Sequence, residues 1–115
     1  MRLLISQIEF EQLIGLQEPE TTLPNFTIVY FTAAWCSACR RLDLDAIEAA
    51  TSTANWLKCD VDVNNYTAGY CGIRSIPTFL AIVDKKIVAK ISSSNTQDVI
   101  TWANAIAEKA VNKQI

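Results

Sequence analysis

The rhythm of apolar and polar residues changes several times along the chain, and each change marks an element. Leu3 to Ile5 reads as a short strand, and Ser6 with Glu9 forms a capping-box pair that starts a helix running to about Leu16. Gln17 to Asn25 holds two of the three prolines among acids and threonines, which marks a connecting loop too short to separate two domains. Phe26 to Thr32, F-T-I-V-Y-F-T, is β-branched and aromatic with almost no polar relief, as expected of a central strand covered on both faces. From Ser37 to about Ala50, Ala38, Leu42, Ile47 and Ala50 interleave with charged residues at helical spacing, predicting one helix.

Leu57, Cys59, Val61 and Val63 alternate within Trp56 to Val63, predicting a third strand that ends near Asp62, followed by a short helical turn around Tyr66 to Tyr70. Thr78 to Val83 and Ile87 to Ile91 flank Asp84, Lys85 and Lys86, the layout of an antiparallel hairpin whose turn lacks glycine. The chain closes on an amphipathic helix, with Val99, Ile100, Trp102, Ala103, Ile106, Ala107, Ala110 and Val111 on one face after capping candidates Ser94, Asn95 and Thr96. The order β-α-β-α-β-α-β-β-α predicts an α/β fold, a mixed sheet with helices on both faces.

A length of 115 residues, half of them hydrophobic, suits one domain spanning residues 1–115 and a core that needs no disulfide staples. Charges of both signs are mixed along the chain and sum to −2, so neither nucleic acid nor a membrane is an expected partner. The opening MRLLISQIEF is too polar for a secretory signal, and no stretch approaches the roughly 18 apolar residues of a membrane span. A soluble, cytoplasmic protein is therefore expected. In a reducing compartment four cysteines do not form a structural disulfide framework, so their spacing has to carry the meaning.

Cys36 and Cys39 stand three apart where a buried strand hands over to the expected helix, with Cβ atoms about 5–6 Å apart in that geometry, within disulfide reach. A sulfur at a helix start meets unpaired backbone N–H groups and the positive end of the helix dipole, which predicts a pKa for Cys36 below the free value of ~8.5. Cys36 is then the nucleophile and Cys39 the resolving thiol of a disulfide exchange. The small Ser37 and Ala38 are expected to leave Cys36 uncovered, with Trp35 as a flat apolar wall beside it. A zinc site would need two further ligands, yet the chain has no histidine, and Cys59 and Cys71 lie 12 positions apart on separate elements. No metal or other cofactor is expected beyond the cysteine pair itself.

V-Y-F-T-A-A-W-C-S-A-C-R, K-C-D-V-D and C-G-I-R-S-I-P-T-F resemble, in order and spacing, the active-site segment, third strand and proline loop of the thioredoxin family. The resemblance runs over nearly the whole chain. It implies a thioredoxin fold, a cis peptide at Ile76-Pro77 facing the cysteines, and a substrate groove bordered by Trp35, Ser75, Ile76 and Thr78. It also implies protein-disulfide substrates, a separate reductase as electron donor, and a monomer.

Several positions depart from the family pattern. Tyr30 stands where many thioredoxins have a buried aspartate that helps deprotonate the resolving cysteine, and a phenol ionising near 10 is a poor base at neutral pH. Lys58 matches the lysine that normally neighbours that aspartate. The usual G-P between the cysteines is S-A, the helix proline is Leu44, and the glycine after the last strand is Ser92, expected to narrow the groove. Cys59 reads as a core thiol. Cys71, near the proline loop, is open to oxidation or intermolecular pairing. A protein-disulfide reductase is the leading function; the alternatives are a disulfide oxidase or isomerase, and a non-catalytic module that binds a partner through Trp35, Ile76 and Pro77.

Overall fold

The computed structural model describes residues 1–111. Five strands form one mixed sheet, in the order β1-β3-β2-β4-β5. They are β1 (Arg2–Leu3), β2 (Phe26–Thr32), β3 (Asn55–Asp60), β4 (Thr78–Val83) and β5 (Lys86–Ser92). β3 runs parallel to both β1 and β2, whereas β4 lies antiparallel to β2 and to β5. The helices are α1 (Gln7–Leu13), α2 (Leu44–Ala50), α3 (Asn65–Tyr70) and α4 (Thr96–Val111), with a short 3-10 turn at Cys39–Arg41. This is the expected α/β architecture.

Side chains of a strand alternate between faces, and the two central strands bury both sets. Phe26, Ile28 and Tyr30 of β2 join Phe79, Ala81 and Val83 of β4 in a layer closed by Ile47 of α2 and by Val99, Ala103 and Ile106 of α4. The intervening Val29, Phe31, Leu80 and Ile82 face the opposite layer, closed by Phe10 and Leu13 of α1 and Ala68 of α3. Trp56 of β3 belongs to the first layer and Leu57 and Cys59 to the second. Ile100, Trp102, Ala107 and Ala110 of α4 pack on the first layer half-buried; the side chain of Val111, expected on the same face, lies outside the described residues.

The largest departure from the sequence pattern is the helix expected from Ser37 to Ala50. It is two pieces: the 3-10 turn at Cys39–Arg41, then an extended Leu42 (φ −81°, ψ 136°), then α2. Asp43 makes the break. Its side chain accepts the Ala46 N–H at 3.1 Å as the cap of α2, and its own N–H, which a continuous helix would bond internally, donates to Thr96 Oγ1 at 3.0 Å. Leu42 is buried at this corner. Helical periodicity persists on both sides of the break, so the pattern alone reads through it.

Smaller differences have equally local causes. Ser6 caps α1 by accepting the Glu9 N–H, but the Glu9 carboxylate pairs with Arg2 instead of closing the capping box, and Gly15, at φ 81°, ends the helix before Leu16. β1 is Arg2–Leu3 rather than Leu3–Ile5, since only Leu4 turns inward and Ile5 is exposed. β3 stops at Asp60, because Asp60 Oδ1 accepts the Asp62 N–H and turns the chain, leaving Val63 in solvent. In the hairpin turn Asp84 and Lys85 both take positive φ, 50° and 69°, the primed-turn geometry that asparagine and glycine usually supply. Asn95 caps α4 by accepting the Asp98 N–H at 2.9 Å.

Cys59 is fully buried in the second layer, with its thiol directed at the Asn64 carbonyl, and Cys71 is half-buried where α3 ends. Burial first, and then the neighbouring Cys71 and Asp60, push the Cys59 thiol from an ordinary 9.0 to about 12. Burial likewise pushes Cys71 up to about 11, with Lys90 acting in the opposite direction. At neutral pH both are thus held as thiols in the native state.

Two predictions follow from this architecture. Removing the α2 cap with Asp43→Ala lowers stability by about 1 kcal/mol, read as a shift in urea midpoint at unchanged slope. The second concerns pH. Because the folded-state pKa of Cys59 lies above its unfolded value, the unfolded chain releases this proton first. Stability therefore falls as pH rises above 9.0 toward about 12. Urea titrations at stepwise pH between roughly 8 and 10.5 give a shallower decline for Cys59→Val than for the unmutated chain.

Candidate active site

β2 delivers the chain to the cysteine loop. Just beyond Thr32, the Cys36 N–H donates to the Ala33 carbonyl at 3.1 Å, a tight turn that folds Cys36 back against the sheet end. Arg40 Nη2 donates to the Ala34 carbonyl at 2.8 Å and braces the same loop from its far side. Between these two anchors Cys36 and Cys39 form a disulfide, with Cα atoms 5.3 Å apart.

The Cys39 N–H donates to Cys36 Sγ at 3.1 Å. This is the local donor expected at a helix start, but the helix behind it is a three-residue 3-10 turn. A long aligned dipole is thus absent, and stabilisation of a Cys36 thiolate falls to this N–H and to nearby cations. Nor is Cys36 uncovered in the disulfide form. It is 4% exposed and Cys39 7%, although Ser37 is exposed and Ala38 half-buried. The bond turns both sulfurs into the apolar layer of Tyr30, Phe79 and Leu42, with Ile76 packed at its edge.

The Ile76–Pro77 peptide is cis, Pro77 is buried and Ile76 half-buried. Thr78, the first residue of β4, is in register with Phe31 near the end of β2 and with Ser92 at the end of β5. The proline loop and the cysteine loop therefore occupy the same end of the sheet. Thr78 Oγ1 donates to the Ser75 carbonyl at 2.7 Å. A hydroxyl has one proton to give, so Ser92 Oγ donates to Thr78 Oγ1, also at 2.7 Å. Ser92 ties its side chain down beside the groove instead of projecting freely into it.

Trp35 is 65% exposed, as a wall facing an incoming chain would be. Its indole N–H donates to Asp62 Oδ2 at 2.8 Å, and Asp62 is itself set by the turn at Asp60. Asp60, Asp62 and Arg40 are positioning residues that the sequence reading did not single out. The first two were visible only as the tail of K-C-D-V-D, and a contact 27 positions apart leaves no local signature.

Tyr30 and Lys58 are cross-strand partners on β2 and β3. Together with Cys36, Cys39 and Arg40 they line a cleft of about 240 Å³ beside the disulfide. Tyr30 is buried and stacked on Phe79, with ring centroids 4.8 Å apart. Burial raises its phenol pKa and a hydrogen bond to Thr32 offsets this in part, so it has no capacity as a base at neutral pH. Among the described residues no Asp or Glu lines this cleft, and its formal charges are the cations Arg40 and Lys58. Leu44, at the position of the family's helix proline, is the first residue of α2 and borders the same cleft. Cys59 faces the opposite layer, away from the pair.

Comparison with known proteins follows the same outline. The chain is 40% identical to Thioredoxin 2 of Chlorobaculum tepidum over 76 residues, covering 64% of this chain and 70% of that protein. It is 31% identical to an H-type thioredoxin of Picea mariana over 101 residues, covering 86% of this chain and 80% of that one. The X-ray structure of Fasciola hepatica thioredoxin superposes with a TM-score of 0.77 at 27% identity, covering 91% of this chain and 98% of that one. Other relatives are matched over less of their length: the chain spans 17% of the TPR repeat-containing thioredoxin TDX and 63% of Thioredoxin H4, both of Arabidopsis thaliana. The family model for Thioredoxin matches residues 6–105, across β2 to β5 and both loops at the reactive end of the sheet, and the chain belongs to the thioredoxin family.

Proposed function

We propose that this chain is a thiol–disulfide oxidoreductase that reduces protein disulfides. The observation that carries the reading is the Cys36–Cys39 disulfide at the sheet end it shares with the Ile76–Pro77 loop. In the reduced protein the Cys36 thiolate attacks one sulfur of a substrate disulfide, forming a mixed disulfide and releasing the other substrate sulfur as a thiolate. Cys39, as thiolate, then attacks Cys36 Sγ, re-forming the Cys36–Cys39 bond and releasing the second substrate thiol. Two electrons pass to the substrate, and its two sulfurs leave as thiols once protonated.

Each neighbouring group has a task in this scheme. The Cys39 N–H and the cations Arg40 and Lys58 favour a thiolate at the pair. Tyr30 cannot accept the proton of Cys39, which passes instead to solvent water at the open cleft beside Lys58. Trp35 and the half-buried Ile76 present apolar surface, the buried Pro77 fixes the loop behind them, and the backbone at Ser75, Ile76 and Thr78 offers edge groups to an extended substrate segment. Ser37 and Ala38 add little bulk over the nucleophile.

The reading extends to a separate reductase that recharges the pair, to the disulfide as the sole redox group, to a monomer, and to a reducing compartment such as the cytoplasm. Unpaired Cys59 and Cys71 accord with the last of these. One observation favours the second reading, a disulfide oxidase or isomerase. Two cations and no carboxylate beside the pair stabilise its reduced, thiolate form, which raises the potential. Titration against glutathione separates the two: a potential near about −270 mV fits a reductase, and one between roughly −180 and −120 mV fits an oxidase or isomerase.

Turnover of insulin disulfides, followed by precipitation of the freed chains, tests the mechanism. Cys36→Ser abolishes turnover, and Cys39→Ser accumulates a mixed disulfide at Cys36. Tyr30→Phe retains the rate within about twofold, since no proton is routed through the phenol. Undiminished turnover by Cys36→Ser would contradict the scheme, and full function of a Cys36→Ser, Cys39→Ser double variant in the host would favour a binding module instead.

A further inference from the structure

The chain carries 12 acidic and 10 basic residues, yet its charge is unevenly placed around the reactive end. The cleft beside the disulfide holds Arg40 and Lys58 without an acid. A second cleft, about 360 Å³, opens beside the proline loop; Ser75, Thr78 and Ser92 contribute to its walls, and its charged residues are Arg74 and Lys90. It too has no Asp or Glu in its lining among the described residues.

Both side chains are available to a ligand. Arg74 and Lys90 are exposed, and among the described residues neither enters an ion pair. The Thr78 and Ser92 hydroxyls are already committed, Thr78 to the Ser75 carbonyl and Ser92 to Thr78, so the charged donors left in the cleft are the guanidinium and the ammonium, with the Ser75 hydroxyl beside them. The acids of the reactive end, Asp60 and Asp62, are held near Trp35, Asp62 by the indole and Asp60 by the Asp62 N–H. Charge is therefore polarised across the site, negative beside Trp35 and positive beside the proline loop.

We propose that the Arg74–Lys90 cleft receives a carboxylate side chain of the substrate segment that carries the target disulfide, so that this chain prefers disulfides flanked by Asp or Glu. The inference rests on the disulfide-exchange reading above and adds a substrate class to it. Thr78, which borders the cleft, is in register with Phe31 of the strand that ends at the cysteine loop, and Ser92 in turn with Thr78, so a chain lying along the proline loop passes both sites. Exposed charges act mainly on encounter and register, and the preference weakens with salt.

The test uses the full chain and synthetic peptide disulfides that differ only in one Glu or Gln near the target cysteine. The ratio of kcat/KM for the Glu peptide to that for the Gln peptide, taken within each protein, cancels any loss of folded material. At low ionic strength the unmutated chain gives a ratio of about five to ten. It falls toward one for Arg74→Gln, Lys90→Gln and drops below one for Arg74→Glu, Lys90→Glu. A ratio near one in the unmutated chain, or an undiminished ratio in both double variants, overturns the proposal. Hydroxyethyl disulfide, small and uncharged, separates this failure from a deeper one: if the unmutated chain cannot reduce it, the exchange reading itself falls.

Discussion

The site depends on a short length of backbone bent against the end of a buried strand. The Cys36 N–H is held by the Ala33 carbonyl, the Cys39 N–H points at Cys36 Sγ, and Asp43 stops the following helix from running back through the loop. These constraints place two sulfurs one turn apart in a layer that is otherwise apolar. A sulfur anion there has little water around it, so the donors and cations at its edge carry unusual weight.

The sheet separates two kinds of cysteine. Alternation along β2 and β3 sends Tyr30 and Trp56 to the layer of the reactive pair and Val29, Leu57 and Cys59 to the other. Cys59 and Cys71 share that second layer, where burial holds them protonated. The sheet thus holds two protonated thiols on one face and the disulfide on the other. Lys58, between Leu57 and Cys59 on β3, reaches the cleft of the reactive pair because it lies on the opposite face from both.

Much of this was legible in the residues. Phe26–Thr32 and Thr78–Val83 are apolar enough to show both ends of a fully buried strand, and the structure begins and ends them there. The cysteine pair and the I-P-T-F loop stand out because their residue types are rare in that order. The break at Leu42 and Asp43 was not legible, since an aspartate inside a charged amphipathic run is as compatible with a solvent-facing helix position as with a cap. The Thr96 hydroxyl that takes its N–H comes from 53 positions away. The burial of Cys36 was missed for a related reason: small neighbours say nothing about what the rest of the fold lays over a residue. The Trp35–Asp62 bond likewise exists only once the strands are paired.

Loss of a long helix dipole and gain of local cations make opposite contributions to the acidity of Cys36, and the local donors prevail. The direct measurement is the pH dependence of alkylation of Cys36 in the reduced protein, with Cys36 identified by peptide mass. A midpoint clearly below the free-thiol value of about 8.5 is the predicted result. A midpoint at or above that value, with Cys36 reacting no faster than an ordinary exposed thiol, would contradict it.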